Sequence, residues 1–122
     1  AADTVVVLGQ TIIGKPTNKQ EAIESLLSLS GQTHKVITGV VLLHQGQEIS
    51  FSETTLVEFH VLTAEQIEFY VDKYKPYDKA GGYAIQEWIG VVGIKKITGD
   101  FYNVMGLPVS KLVQTIKELD IS

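Results

Sequence analysis

Three short segments of the sequence carry charged side chains of types that take part in catalysis. The first is Asp3-Thr4, which stands at the start of a strongly apolar, β-branched run. A carboxylate there suits the binding of a metal ion or the activation of a water molecule. The plainer interpretation is that Asp3 is a solvated residue at the end of a strand. Residue types and spacing leave both interpretations open.

The other two segments carry lysines in loops. Lys15 lies in a Gly-Lys-Pro loop, and Lys79 follows Asp78 in a turn-forming stretch that leads to Gln86. A lysine held in a rigid loop suits the neutralisation of phosphate oxygens. Each lysine could equally be a solvated surface residue, so the elements that position these loops decide between the two interpretations.

Composition argues against several other classes of protein and site. The 122 residues contain no cysteine, which excludes disulfides, thiolate metal sites and a cysteine nucleophile. His34, His44 and His60 lack the spacing of a metal-ligand set, so we interpret them as structural or surface residues. The formal net charge of -4 and the scattered lysines argue against a nucleic-acid partner. No apolar run approaches the roughly 20 residues of a membrane helix, so we expect no membrane partner and a cytoplasmic location.

Caps and periodicity predict three helices. Asn18, with an acidic residue three positions later, is typical of a capping box ahead of a helix over residues 19–29. Thr63 begins the same pattern for a second amphipathic helix, which Pro76 stops. Pro108 suits the first turn of a last helix. The apolar face of that helix is Val109, Leu112, Val113, Ile116 and Leu119.

The remaining segments are rich in β-branched residues and predict a sheet. The predicted strands are residues 4–8, 11–13, 32–44 and 49–61, and residues 89–97 are interpreted as a strand pair or a bent strand. The first strand is apolar on both faces, so we expect it to be buried on both. Glu53 interrupts one apolar face, which is costly for a carboxylate unless it is paired, used or at a sheet edge. The order of elements predicts one α/β domain with a mixed, twisted sheet flanked by helices.

Taken together, seven motifs in a fixed order are more specific than any one of them. They are Ala2-Asp3-Thr4-Val5-Val6, Gly14-Lys15-Pro16, Leu29-Ser30-Gly31-Gln32-Thr33-His34, Thr38-Gly39-Val40, Tyr70-Val71, Asp78-Lys79-Ala80-Gly81-Gly82-Tyr83-Ala84-Ile85-Gln86 and Gly99-Asp100-Phe101-Tyr102-Asn103-Val104-Met105-Gly106-Leu107-Pro108. Their order resembles that of the Maf family of nucleoside triphosphate pyrophosphatases over essentially the whole chain.

The resemblance implies hydrolysis of a nucleoside triphosphate between its α and β phosphates, assisted by a divalent cation such as Mg²⁺ or Mn²⁺. Asp3 matches the catalytic carboxylate of the family, which accepts a proton from the attacking water and lies near the metal. Lys15 and Lys79 match lysines that hold the triphosphate. Asp78 is expected to hold either Lys79 or the metal.

Thr4 and Gln86 match positions that the family ties to substrate choice. The pair Ile85-Gln86 resembles the branch that prefers dTTP and UTP, and a glutamine amide offers both a donor and an acceptor to a pyrimidine edge. Two departures from the family pattern are Leu8-Gly9-Gln10 and Glu87-Trp88. The second of these adjoins the predicted base pocket.

The family's N-terminal Ser-x-Ser-Pro-Arg-Arg motif has no counterpart in these residues. We therefore interpret residues 1–122 as the C-terminal part of the family domain, truncated at its N-terminus, and expect activity more securely of the complete protein. The expected partner is the nucleoside triphosphate, and a second copy in a homodimer is a further candidate. The alternatives are a non-catalytic nucleotide-binding or septum-regulating protein and an interaction module built on exposed strand edges.

Overall fold

A five-stranded sheet forms the centre of the computed structural model, which describes residues 2–105 and 113–118. The strands are β1 (Ala2–Leu8), β2 (Thr11–Ile13), β3 (Thr33–His44), β4 (Gln47–Phe59) and β5 (Ile94–Thr98), in the spatial order β2-β1-β3-β4-β5. The helices are α1 (Lys19–Leu29), α2 (Ala64–Tyr74), α3 (Trp88–Gly93) and α4 (Phe101–Val104), with a 3₁₀ turn at Ala80–Gly82. The predicted α/β class is confirmed. No helix of the described residues is long and apolar enough to cross a bilayer.

Every pairing between the described strands is antiparallel, so the prediction of a mixed sheet is wrong. Two connections are short hairpins, and the turn between β3 and β4 has positive φ at Gln45 and Gly46, which suits a tight antiparallel turn. Helix α1 joins β2 to β3, two strands that run in the same direction on either side of β1. The two strands that α1 connects are not neighbours, because β1 lies between them and pairs with both in antiparallel fashion.

Helix α1 begins and ends where the sequence predicts, and its cap differs in one half. The side chain of Asn18 accepts a hydrogen bond from the amide of Glu21 at 2.9 Å. The Glu21 carboxylate does not complete the box, because it accepts instead from the amide and hydroxyl of Thr17 at 2.9 and 2.8 Å. These two bonds lower the pKa of Glu21. At α2 the box between Thr63 and Gln66 is complete.

Residues 89–97 form neither the predicted strand pair nor a single bent strand. Trp88–Gly93 form α3, and only Ile94–Thr98 form a strand, which pairs with β4. Gly90 makes this possible, because a Cβ at that position would overlap the carbonyl oxygen of Ile85. A helix of six residues has fewer than two turns, so apolar periodicity does not distinguish it from a short buried strand.

The hydrophobic core lies where α1 and α2 cover the sheet. Its largest fully buried apolar side chains are Tyr70, Phe59, Leu26, Leu29, Ile67, Ile89, Val6, Val36, Val57 and Val71. The strand β4 alternates as predicted, and Glu53 is half-buried rather than buried. Within the described part of β1 only Val6 is buried, so the prediction that this strand is covered on both faces is wrong for these residues. The reason is that the described helices cover its Val6 face.

The last predicted helix lies only partly within the described residues. Residues 113–118 are helical, as predicted, and Val113 and Ile116 of its apolar face are exposed. Pro108, Val109, Leu112 and Leu119 lie outside the described residues.

Candidate functional site

All six residues that the sequence singled out for a site line one cavity of ≈ 290 Å³. They are Asp3, Thr4, Lys15, Asp78, Lys79 and Gln86. Apolar side chains complete the lining: Val6, Val36, Ala80, Tyr83, Ala84, Val104 and Met105. A concave site with a few convergent polar groups on an apolar base is typical of a small-molecule site. The chemical roles of the six residues stay predictions.

Close contacts at Gly81 hold the loops of Lys15 and Lys79 together next to β1, the strand that carries Asp3. The amide of Gly81 donates to the carbonyl of Gly14 at 3.2 Å, which joins the loop of Lys79 to the loop of Lys15. Gly81 has φ +76°, and a Cβ there would lie 3.1 Å from the side chain of Val6 in β1. Only glycine satisfies both the conformation and the close approach. One strand thus positions all three polar segments.

The formal charges of the cavity cancel, because two aspartates face two lysines in the same lining. Lys79 Nζ lies 3.4 Å from Asp78 Oδ2, as one of the two predicted roles of Asp78 requires. Both side chains are substantially exposed, so this pair contributes little to stability. Lys15 forms no ion pair with any described residue, which leaves its ammonium group available for an anionic ligand.

Asp3 and Asp78 are the carboxylates that this cavity offers to a metal ion. Within residues 2–105 and 113–118, no group of three or more His, Asp or Glu side chains could hold a metal by itself. Mg²⁺ usually binds proteins through one or two carboxylates together with waters and substrate phosphates. The donor set therefore fits a divalent cation that is held jointly by the protein and a phosphate ligand, with Asp3 or Asp78 as the protein's contribution.

Tyr83 lines the cavity, and its hydroxyl bonds to the buried side chain of His34. The hydroxyl and His34 Nε2 share a hydrogen bond of 2.6 Å, and both rings contact Phe59 edge to face. His34 is 1% exposed, whereas His60 is exposed, so these two histidines are structural and surface residues, as predicted. The His44 side chain lies outside the described part of the structure.

Burial of His34 predicts a specific dependence of stability on pH. Desolvation lowers its pKa from 6.5 to about 4. Because the unfolded chain therefore binds the proton more tightly, stability present above pH 6.5 is lost as the pH falls towards 4. We expect this histidine to contribute a loss on the order of 3 kcal/mol over that interval. Urea denaturation of the wild type and of His34→Gln between pH 4 and 7.5 measures it.

The matched control for this prediction is His60→Gln, which removes an exposed histidine. The difference in unfolding free energy between wild type and His34→Gln should shrink as the pH falls, and it should do so by more than any change measured for His60→Gln. A constant difference for both variants would contradict the assignment.

A chain of hydrogen bonds runs from the cavity wall into the sheet. The hydroxyls of Thr4 and Thr38 lie 3.0 Å apart, and the Thr38 hydroxyl donates to the backbone carbonyl of Asn103 at 3.2 Å. The hydroxyl of Thr55 donates to the carbonyl of Asp100 at 3.0 Å. These bonds connect β1, β3 and β4 to the segment of α4. Thr4 is therefore held in place by a partly buried polar contact.

Asn103 is the centre of this network, and the sequence did not single it out. Its side chain is fully buried, and Nδ2 lies 3.0–3.1 Å from the carbonyls of Val36 and Glu53 and from Thr55 Oγ1. It therefore fixes α4 across β3 and β4. Its neighbour Val104 lines the cavity, so this contact shapes the site from below. No local pattern marks such an asparagine, because its partners are distant in sequence.

Gln86 lies at a corner of a four-residue turn, Ala84–Glu87. The amide of Glu87 donates to the carbonyl of Ala84 at 3.1 Å, which closes the turn. Gln86 is exposed, while Ala84 and Ile85 are buried. Both ends of the turn also contact the hydroxyl of Tyr70 in α2. From the sequence, Tyr70 was part of an amphipathic pattern and of the motif Tyr70-Val71, without a role in the site. The turn that carries Gln86 is thus anchored from the core.

Similarity to known proteins agrees with this arrangement of residues. Residues 1–119 match the family described as Maf-like protein. The chain is 53% identical over 116 residues to a dTTP/UTP pyrophosphatase of Parabacteroides distasonis and 52% identical over 118 residues to one of Bacteroides thetaiotaomicron. A dTTP/UTP pyrophosphatase of Porphyromonas gingivalis is 50% identical over 117 residues.

These three alignments cover 95%, 97% and 96% of this chain and 60%, 61% and 59% of the respective relatives. The chain thus spans about three fifths of the length of the curated relatives that it matches. The family match extends from the first residue to the end of the helical segment at 113–118 and includes every residue of the cavity. The chain belongs to the Maf-like protein family.

Proposed function

We propose that the protein hydrolyses dTTP, UTP and related modified pyrimidine triphosphates to the monophosphate and pyrophosphate, as a cytoplasmic house-cleaning enzyme of the nucleotide pool. The observation that carries the proposal is the convergence of a carboxylate, two lysines, a hydroxyl and an amide on one cavity. Relatives about 50% identical to this chain are named dTTP/UTP pyrophosphatases, which supports the same activity.

In this proposal Asp3 accepts the proton of the attacking water. Its carboxylate is exposed in the cavity lining, and its one hydrogen bond within the described residues comes from the amide of Thr4 at 3.0 Å. Three lone-pair positions therefore remain for water or a cation. Lys15 and Lys79 hold the phosphates, and Thr4 and Gln86 contact the nucleoside.

A divalent cation, Mg²⁺ or Mn²⁺, is part of the proposal because the charges of the chain alone do not match the ligand. The formal charges of the two lysines and the two aspartates in the cavity sum to zero, whereas a triphosphate brings several negative charges. Asp3 would hold the cation, with Asp78 as the second candidate. When bound, such a cation neutralises phosphate charge and helps the leaving pyrophosphate to depart.

A pyrophosphate-release assay with a panel of triphosphates and each metal tests the proposed function. It is run on this chain and on the product of the full-length gene. We expect dTTP and UTP to be hydrolysed faster than purine triphosphates, and only with a divalent cation. If neither protein releases pyrophosphate, the proposed enzymatic activity is contradicted. Nucleotide binding without release of pyrophosphate would favour the non-catalytic binding role.

We also propose that the protein forms a homodimer, and measuring its mass in solution tests this.

Removing either cavity lysine is expected to weaken substrate binding. A hydrogen bond from an ammonium group to phosphate contributes about 1.5–3 kcal/mol, so Lys15→Ala and Lys79→Ala should each lower kcat/KM about 10- to 100-fold. The loss should diminish at high salt, because the wild-type advantage is electrostatic. Steady-state kinetics at two ionic strengths measures both effects.

Lys95→Ala is the matched control for the lysine variants. Lys95 lies on β5, outside the cavity, and its ammonium is 3.7 Å from Glu58 at an exposed position. This variant removes the same charge from the protein and should keep the wild-type kcat/KM. Equal losses in all three variants would show that net charge, and not the cavity, explains the effect.

A further inference from the structure

One buried hydroxyl holds both ends of the turn that carries Gln86. Tyr70 accepts a hydrogen bond from the amide of Ala84 at 3.0 Å and donates one to Glu87 Oε1 at 2.6 Å. Ala84 and Glu87 are the first and last residues of the turn, and they are already joined by a backbone bond of 3.1 Å. Gln86 is therefore fixed between two anchored positions.

The anchor itself is rigid. Tyr70 is fully buried in the middle of α2, whose first turn has a complete capping box. Its ring stacks on Tyr74 at 5.0 Å and on Trp88 at 6.3 Å, and Trp88 directly follows the turn. Burial and the Glu87 carboxylate both raise the pKa of Tyr70, so its hydroxyl keeps the proton that it donates. The turn is thus attached to the core by a polar and an aromatic contact.

Separate segments of the chain supply the charged groups of the cavity and the Gln86 amide. The charged groups come from β1 and from the loops at Lys15 and Asp78-Lys79, whereas Gln86 comes from the turn that Tyr70 holds. The Tyr70 hydroxyl and the Glu87 side chain have no part in the cavity lining. A change at these two groups should therefore move the Gln86 amide and leave the phosphate-binding groups in place.

We propose that Tyr70 and Glu87 are positioning residues that fix the Gln86 turn and thereby set the preference of the site for a pyrimidine base. This inference rests on the proposed hydrolysis of dTTP and UTP. It predicts a loss of selectivity, because a mobile amide no longer offers its donor and acceptor at defined points to one base edge. Turnover of the preferred substrate depends mainly on the phosphate contacts and should change less.

The first test compares Tyr70→Phe with Tyr74→Phe in the full-length gene product. Both variants remove one phenolic oxygen from α2, but only Tyr70 bonds to the turn. In Tyr70→Phe we expect the ratio of kcat/KM for dTTP to that for dATP to fall about tenfold, with kcat for dTTP within about threefold of wild type. Tyr74→Phe should keep the wild-type ratio. Equal ratios in wild type and Tyr70→Phe would overturn the inference.

The second test uses Glu87 and does not depend on folding of the tyrosine variant. Glu87→Gln retains an oxygen that accepts from Tyr70, whereas Glu87→Ala does not. We expect the alanine variant to lose base preference and the glutamine variant to keep it. If both variants lost base preference, or if neither did, the hydrogen bond between Tyr70 and Glu87 would not be the cause of that preference.

Hydrogen exchange tests the hydrogen bonds between Tyr70 and the Gln86 turn separately from the proposed function. Exchange of the Ala84 amide should be at least tenfold faster in Tyr70→Phe than in wild type or Tyr74→Phe. If the wild type hydrolyses no triphosphate, the proposed function fails and the inferred base preference fails with it. If the enzyme is active and the exchange rate at Ala84 is unchanged in Tyr70→Phe, the inference that Tyr70 fixes the turn is overturned, and the proposed function is not.

Discussion

Asp3→Asn is expected to reduce pyrophosphate release about a thousandfold while leaving the fold intact. The substitution keeps the size of the side chain and removes the charge that would accept a proton or hold the cation. General-base catalysis by a positioned group contributes about 10²–10⁴ in rate, and loss of a cation ligand would add to that. Single-turnover kinetics with saturating dTTP and metal measures the effect on the chemical step.

Two comparisons separate a catalytic effect from a structural one. Asp3 is exposed and bonds only to the adjacent amide within the described residues, so the unfolding free energy should change by less than about 0.5 kcal/mol. Asp72→Asn is the matched control, because Asp72 is an exposed aspartate outside the cavity, 2.9 Å from Lys19. Turnover within tenfold of wild type in Asp3→Asn would exclude Asp3 as the base.

Asn103→Ala is expected to cause the largest loss of stability, about 3–5 kcal/mol. The variant leaves the buried backbone carbonyl of Val36 and the partly buried carbonyl of Glu53 without the donor that Nδ2 supplies. Each unsatisfied buried group costs about 1–3 kcal/mol, and the space left by the side chain adds to the loss. Chemical denaturation followed by circular dichroism measures the change in unfolding free energy.

The sequence contains one other asparagine, which provides the control for this prediction. Asn18→Ala removes the N-cap of α1 at an exposed position and should cost about 1 kcal/mol. If Asn103→Ala cost no more than Asn18→Ala, the buried network would not have the role described. A stable but inactive Asn103 variant would instead point to the cavity residues that α4 supports.

Much of the site could be predicted from the sequence because its signals are local. The loop around Lys15 and the turn around Lys79 are marked by glycine and proline, and β1 is marked by its β-branched run. The cap at Asn18 placed α1 correctly, since an N-cap acts within one turn. In the structure Asp3 and both lysines line one cavity. Their spacing in the sequence alone did not indicate that they lie close together.

The rest depends on contacts between residues far apart in the chain. Asn103 bonds to residues 48 to 67 positions away, and Tyr70 bonds to residues 14 and 17 positions away. Neither residue type indicates that it connects distant segments. An asparagine usually indicates a turn, and a tyrosine at helical spacing indicates the core face of a helix. The short helix α3 was missed for the same reason, since its geometry depends on how Gly90 fits against Ile85.

The hydrogen bonds beneath the cavity have a common direction. Thr38 has a single hydroxyl proton, which goes to Asn103, so the proton between Thr4 and Thr38 must come from Thr4. Further along, Asn103 donates to Thr55, and Thr55 donates to Asp100. From Thr4 onward, each residue thus donates a hydrogen bond to the next one in the series. At Thr4 the wall therefore presents only lone pairs, and a ligand atom opposite it must carry a hydrogen to be bound there.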